Sequence, residues 1–103
     1  MKIITKNKIK EECWNLDYEL IKWLNEHLKV YLHDSESIVD LSFYKFKYKK
    51  KDYTLEEIIK RLIEITDIFL DDYFLETINN KDLNNLKNEM YDLLKLVHWH
   101  LWW

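Results

Sequence analysis

Apolar positions recur at spacings of three and four over residues 54–78, and this stretch anchors the reading of the whole chain. On a helical wheel Leu55, Ile58, Ile59, Leu62, Ile63, Ile65, Phe69, Leu70 and Tyr73 share an arc of about 160°, while Glu57, Lys60, Arg61, Glu64, Asp67, Asp71 and Asp72 take the other side. The pattern predicts one amphipathic helix. Thr54 stands where an N-cap belongs, and Glu57, three residues on, completes a capping box. The apolar arc is wider than a two-stranded seam requires, so the helix is expected to touch at least two neighbours.

Upstream, residues 7–33 predict another long helix whose core stripe is Ile9, Cys13, Leu16, Leu20, Trp23, Leu24, His27 and Tyr31. A second ridge of Trp14, Tyr18, Ile21, Leu28 and Leu32 lies about 120° to 150° round from it, so this helix is either sandwiched between partners or shows an aromatic strip outward. The polar run 34–37 breaks the pattern, with Asp34 or Ser35 placed to cap the next element. Residues 36–46 read as a short helix through Val39, Phe43 and Phe46. A short strand near residues 38–48 is the alternative, for which only the N-terminal KIIT offers a partner. After a second polar break at residues 79–82, Asp82 is expected to cap a last helix running to the C-terminus, with Leu83, Leu86, Met90, Leu93, Leu94, Val97 and Leu101 as its core stripe. The expected fold is therefore all-α: a small antiparallel helical bundle of three long helices and one short helix, in a single domain over residues 1–103.

Composition sharpens this reading. Gly, Pro, Ala and Gln are all missing, and Arg61 is the one arginine beside fifteen lysines. That bias suggests an A+T-rich bacterial or mobile-element genome. Without Gly every turn must be built from residues that resist φ > 0, which suits helix connections better than tight hairpins. Glycine-dependent phosphate loops and dinucleotide fingerprints are excluded. One cysteine, Cys13, allows no internal disulfide and favours the cytoplasm; no apolar run approaches the ~18 residues that span a bilayer, and the N-terminal residues do not read as a signal peptide.

Net charge is −3, but it is blocked: +4 over residues 1–10, −6 over 11–44, +5 over 45–51, −7 over 52–92 and +1 from Lys95. The basic block interleaves Phe43, Tyr44, Phe46 and Tyr48 with Lys45, Lys47, Lys49, Lys50 and Lys51, a composition that can grip phosphates and stack bases. The acidic blocks on either side oppose a nucleic-acid backbone, so direct binding of nucleic acid is disfavoured and a solvated segment with inward aromatics is the plainer reading. Glu57, Glu64, Asp67, Asp71 and Asp72 form an acidic face that reads as solvated, with Glu56–Lys60 and Glu57–Arg61 pairs, or as an electrostatic contact.

No metal site, cofactor or catalytic set is expected. The Glu-x-x-His pattern of a bundle metal site is missing, and His98 and His100 are too closely spaced to share a metal on one helix face. His27 reads as a hydrogen-bonded core residue, and no serine or cysteine has a recognisable catalytic partner. The C-terminus LKLVHWHLWW is the most suggestive element: Leu96, Trp99 and Trp103 form an outward ridge with Trp102 beside it, and Trp14 and Tyr18 supply further aromatic surface. These six residues are the expected partner surface, unless the last turn tucks its tryptophans against the first helix. The function expected is that of a small non-enzymatic protein-binding protein, a stoichiometric inhibitor or antidote: an immunity protein, or an anti-defence protein that blocks a nucleic-acid-processing enzyme. The alternatives are a homodimeric helical bundle or a nucleic-acid-binding accessory protein using residues 45–51.

Overall fold

The computed structural model describes residues 15–35 and 40–101. Within them the chain is mostly helical, in the order α1 (Leu16–Ser35), β1 (Lys45–Tyr48), β2 (Lys51–Thr54), α2 (Leu55–Phe69), α3 (Asp72–Thr77) and α4 (Asn80–Val97), closed by a 3-10 turn over His98–His100. The expected roles of residues 1–14, Val39, Trp102 and Trp103 lie outside the described residues.

Helix α2 is the centre. Its start is fixed by chemistry legible in the sequence: the Thr54 hydroxyl accepts from the Glu57 amide at 3.2 Å, and the Glu57 carboxylate accepts from the Thr54 amide at 2.9 Å. Leu55, Ile58, Ile59, Leu62 and Ile65 are fully or almost fully buried. At about 1.5–3 kcal/mol for each such side chain, this face supplies roughly 10 kcal/mol of gross burial free energy. Helices α1 and α4 both pack on it, adding Leu28 from one and Met90, Leu93 and Val97 from the other.

The structure turns α1 away from the expected stripe. Leu28 and Asn25 are buried and Ile21, Leu24, Leu32 and Tyr31 pack against the core, whereas Leu16, Leu20, Trp23 and His27 face outward. The two apolar stripes are nearly equal, and polar bonds decide between them. Asn25 Nδ2 donates to Thr66 Oγ1 at 2.8 Å and to Asp67 Oδ1 at 2.9 Å, and Lys29 Nζ pairs with the same Asp67 oxygen at 2.9 Å. Because Asp67 can only accept, the Asn25 amide is oriented with its nitrogen toward α2. Thr66 passes its own hydrogen on to a carbonyl of the preceding turn, so the buried network is satisfied. His27 remains hydrogen-bonded, but on the surface: Nδ1–H donates to the Trp23 carbonyl at 2.7 Å and the two rings stack at 4.0 Å.

Over residues 40–46, the described part of the expected short helix 36–46, the chain instead forms a turn and the start of a hairpin. Lys45↔Thr54, Phe46↔Tyr53, Lys47↔Asp52 and Tyr48↔Lys51 pair antiparallel, so the strand finds a partner in the segment just after it, while KIIT lies outside the described residues. Two residues, Lys49 at φ 50° and Lys50 at φ 65°, make the turn, and positive φ at both centres is the type I′ requirement. The chain thus builds without glycine the very turn that its composition argued against. Asp40 shapes the turn before the hairpin, accepting from the Ser42 amide at 2.9 Å and from its hydroxyl, bonds that hold its pKa below the ordinary value. Ser35 is not a cap for a second helix; it ends α1, buried, donating to the Tyr31 carbonyl.

Two further boundaries differ from expectation. The helix predicted over residues 54–78 breaks at Leu70, because the Asp71 side chain accepts from the Phe74 amide at 3.2 Å and starts α3 afresh. Tyr73, expected in the core arc, is consequently exposed. Helix α4 starts earlier than predicted: Asn79 is its N-cap, accepting from the Asp82 amide at 2.8 Å, and Asp82 accepts in turn from the Asn79 side chain.

Packing of this kind makes both the core and the hairpin turn testable. Leu62→Ala leaves a cavity under two helices and is expected to destabilise the fold by about 2–5 kcal/mol in urea melts. Lys50→Gly relieves a left-handed lysine and is expected to stabilise it by about 0.5–1 kcal/mol, once the entropy of glycine is subtracted from the roughly 1–2 kcal/mol of relief; an unchanged or lower urea midpoint would show that the turn carries no such strain.

Candidate functional site

Among the described residues the ten buried hydrophobics are leucines, isoleucines, Met90 and Val97, with no aromatic among them. Tyr31, Phe46, Tyr48, Tyr53 and Phe69 are partly buried against this core, and one group of aromatic side chains gathers where the hairpin meets the chain's last turn. Helix α4 ends at Val97, and the backbone tightens into the His98–His100 turn. The His100 ring lies 5.1 Å from Tyr44 and 5.0 Å from Phe46, edge-on to the latter, and the Tyr31 hydroxyl reaches the His100 carbonyl at 3.5 Å. With His100 pinned in this notch, Trp99 points the other way and is 84% exposed, stacked on His98 at 4.9 Å. Phe43, 73% exposed, meets Tyr44 edge-on at 5.3 Å. The aromatic edge is thus in two parts: Phe43, Tyr44 and His100 form one run of touching rings, and His98 and Trp99 a separate stacked pair on the same turn.

Of the six residues expected to bind a partner, the structure describes three and does not gather them. Trp99 is on the edge. Leu96 packs partly buried against the core. Tyr18 lies toward the other end of α1, where it lines a cleft of about 490 Å³ with Phe69, Leu75, Leu83 and Met90. The ridge breaks up because the α-helical spacing stops at Val97. Phe43, Tyr44 and His100 were missed as members of one surface; the signal that could have found them was the strict alternation from Lys45 to Tyr48, which a hairpin converts into an outer lysine face and an inner aromatic face.

That alternation places Lys45 and Lys47 outward, opposite Thr54 and Asp52, while Phe46 and Tyr48 turn inward. Lys49, Lys50 and Lys51 are exposed at the tip, with the Lys49 and Lys51 ammonium groups 5.4 and 5.8 Å from the Tyr48 and Tyr53 ring centroids. The acidic residues Glu57, Glu64, Asp67, Asp71 and Asp72 are all exposed, and the first four also serve the fold: a capping box, a pair with Arg61, the Asn25 and Lys29 network, and the cap of α3. Burial works against the Asp67 carboxylate, but the hydrogen bonds from Lys29 and Asn25 outweigh it and hold its pKa below the ordinary value.

Arg61 does not take Glu57 as its partner. Its guanidinium bridges α2 to α4, donating to both Glu89 oxygens, Nε at 2.6 Å and the terminal nitrogen at 2.8 Å, and it also pairs with Glu64 one turn on. The two Glu89 bonds raise the Arg61 pKa above its usual value, and the same bonds depress Glu89. The expected Glu56–Lys60 pair forms at 2.9 Å. Arg61 and Glu89 floor a cleft of about 260 Å³ walled by Tyr48, Tyr53, Ile58 and Leu93. Burial and the bond to Asp92 at 3.2 Å push the Tyr48 hydroxyl pKa up. The cleft's one cation is already paired, so it has little charge left to offer an anion.

Among the described residues no group of three His, Cys, Asp or Glu side chains is arranged to hold a metal ion, and no helix is long and apolar enough to cross a membrane. Compared with protein-family models, with curated proteins and with solved structures, the chain matches none.

The Arg61–Glu89 bridge predicts a pH dependence of known sign. A carboxylate depressed below its ordinary 4.5 contributes stability that is complete above the unfolded value and is lost as pH falls through the folded one. The urea midpoint of the wild type is therefore expected to fall between about pH 5 and pH 3, and Glu89→Gln to flatten that slope without abolishing it, since Asp67 and Glu57 are depressed too. Parallel slopes for the two proteins would show that the bridge contributes nothing.

Proposed function

We propose that the chain is a small, non-enzymatic, cytoplasmic protein-binding protein that acts stoichiometrically, as an inhibitor or antidote of the immunity or anti-defence kind, on a nucleic-acid-processing enzyme. The observation that carries this reading is Trp99, a large apolar side chain left 84% exposed on a turn that His100 pins from behind. Tryptophan is the residue most enriched at interface hot spots, and a pinned backbone reduces the ordering entropy that binding must overcome. The exposure of Phe43 beside the same turn supports the same reading, because that aromatic surface is then available to a partner. The charge blocks add long-range steering. An acidic face along α2 suits the basic groove that enzymes of this class use for phosphate backbones, and the lysine-rich hairpin next to the aromatic edge suits an acidic rim.

Trp99→Ala tests this reading. The variant is expected to keep its helical circular dichroism and to lose under about 1 kcal/mol of stability, while its affinity for the target falls by about 2 kcal/mol or more, roughly thirtyfold. The target is obtained by co-purification from the native host, comparing wild-type and Trp99→Ala baits by quantitative mass spectrometry, and its binding isotherms are then measured with both proteins. If Trp99→Ala binds as tightly as the wild type, or unfolds, the edge is not the contact surface.

A further inference from the structure

We propose that the outward face of α1 binds a second copy of this chain, antiparallel, in a two-fold dimer. The face consists of Leu16, Leu20, Trp23, His27 and Val30, spaced 4, 3, 4 and 3 residues apart, which is the spacing of a coiled-coil seam. Leu16, Leu20, Trp23 and Val30 are each more than half exposed, and no described element covers them. Burial of Asn25 and Leu28 has already committed the opposite side of the helix to α2, so α1 is apolar on two faces and among the described residues only one has a neighbour. A groove of about 450 Å³ runs between the seam and its charged flank, lined by Leu16, Glu19, Leu20, Lys22, Trp23 and Glu26, a place for the knobs of a facing helix. The Trp23 and His27 rings, stacked at 4.0 Å with His27 bonded to the Trp23 carbonyl, hold the middle of the seam in one geometry before any partner arrives.

Charge and area select the second copy as the occupant. Along the flank Glu19, Lys22 and Glu26, which line this groove, alternate in sign. An antiparallel copy presents the same flank in reverse order, which sets Lys22 of each chain toward Glu26 of the other, twice by symmetry. A foreign helix has no reason to carry that alternation. The exposed seam offers on the order of 400 Å² per copy, and with the stems of Glu19, Lys22 and Glu26 two copies would remove about 1,200 Å² from water, the lower end of stable interfaces. The aromatic edge at Trp99 is not part of this surface, so the dimer and the target contact stand or fall separately.

The test is sedimentation of the full-length chain over a concentration series. At about 10 μM the wild type is expected at twice the 12.9 kDa chain mass. Leu20→Glu is expected to raise the dimer dissociation constant by at least a hundredfold with unchanged circular dichroism. Lys22→Glu is expected to raise it about tenfold, and Lys22→Glu with Glu26→Lys to restore it to within about threefold of the wild type. The double swap keeps the test decisive should Leu20→Glu fail to fold. A monomeric wild type overturns the proposal. So does a dimer indifferent to Leu20→Glu, or one weakened by Lys22→Glu and not restored by the double swap.

Discussion

The first turn of α2 holds this fold together. A helix begins with amide N–H groups that its own carbonyls cannot reach, and each must find an acceptor or stay in water. Here the Leu55 amide donates to the Tyr44 carbonyl at 3.0 Å, the Glu56 amide to the Leu41 carbonyl at 3.2 Å, and the Glu57 amide to the Thr54 hydroxyl at 3.2 Å. These acceptors lie on the turn and hairpin that precede the helix. The cap is complete only when that segment is docked, so hairpin and helix become one unit. Docking in turn delivers Leu41 to the core and Phe46 to the notch that receives His100.

From that anchor, apolar burial and polar bonding divide the labour. Burial on α2 supplies most of the drive, but it has no direction and would accept α1 on either stripe. Direction comes from a few polar pairs. Asn25 and Lys29 reach Thr66 and Asp67 only when α1 presents its Leu28 side, and Arg61 reaches both Glu89 oxygens at a single register of α4. Ion pairs of this half-buried kind add little net stability, yet one left unpaired is costly. Their effect is to choose among packings that apolar area alone would leave nearly equal.

The same choice decides what faces water. Once α1 commits Leu28 inward, Leu16, Leu20, Trp23 and Val30 are left outside, and once His100 enters the hairpin notch Trp99 is turned out. Both exposed surfaces are consequences of how the core closed. Neither results from surplus hydrophobicity at random positions: one is a seam of helical spacing and the other lies on the turn that His100 ties to the hairpin.

What the sequence determined by itself was local. The capping box at Thr54 and Glu57, the apolar face from Leu55 to Ile65, the stripe Met90, Leu93 and Val97, and the solvated alternation of lysines all arise from spacing and short-range hydrogen bonding, and all stand in the structure. Tertiary structure decided the rest, for separable reasons. The face of α1 depended on Thr66 and Asp67, about forty residues away in sequence. The hairpin depended on docking strong enough to hold Lys49 and Lys50 at positive φ, against their own backbone preference and without the glycine that would have announced the turn. The break after Leu70 was a competition between one more helical turn and the cap that Asp71 could offer, two options of similar free energy. The exposure of Trp99 was set by where the α-helix stopped, and it stopped where His100 found two aromatic rings on a different element. A linear pattern specifies which residues can be buried; only the packed chain specifies which of two eligible faces is, because that difference resides in contacts between residues far apart in the sequence.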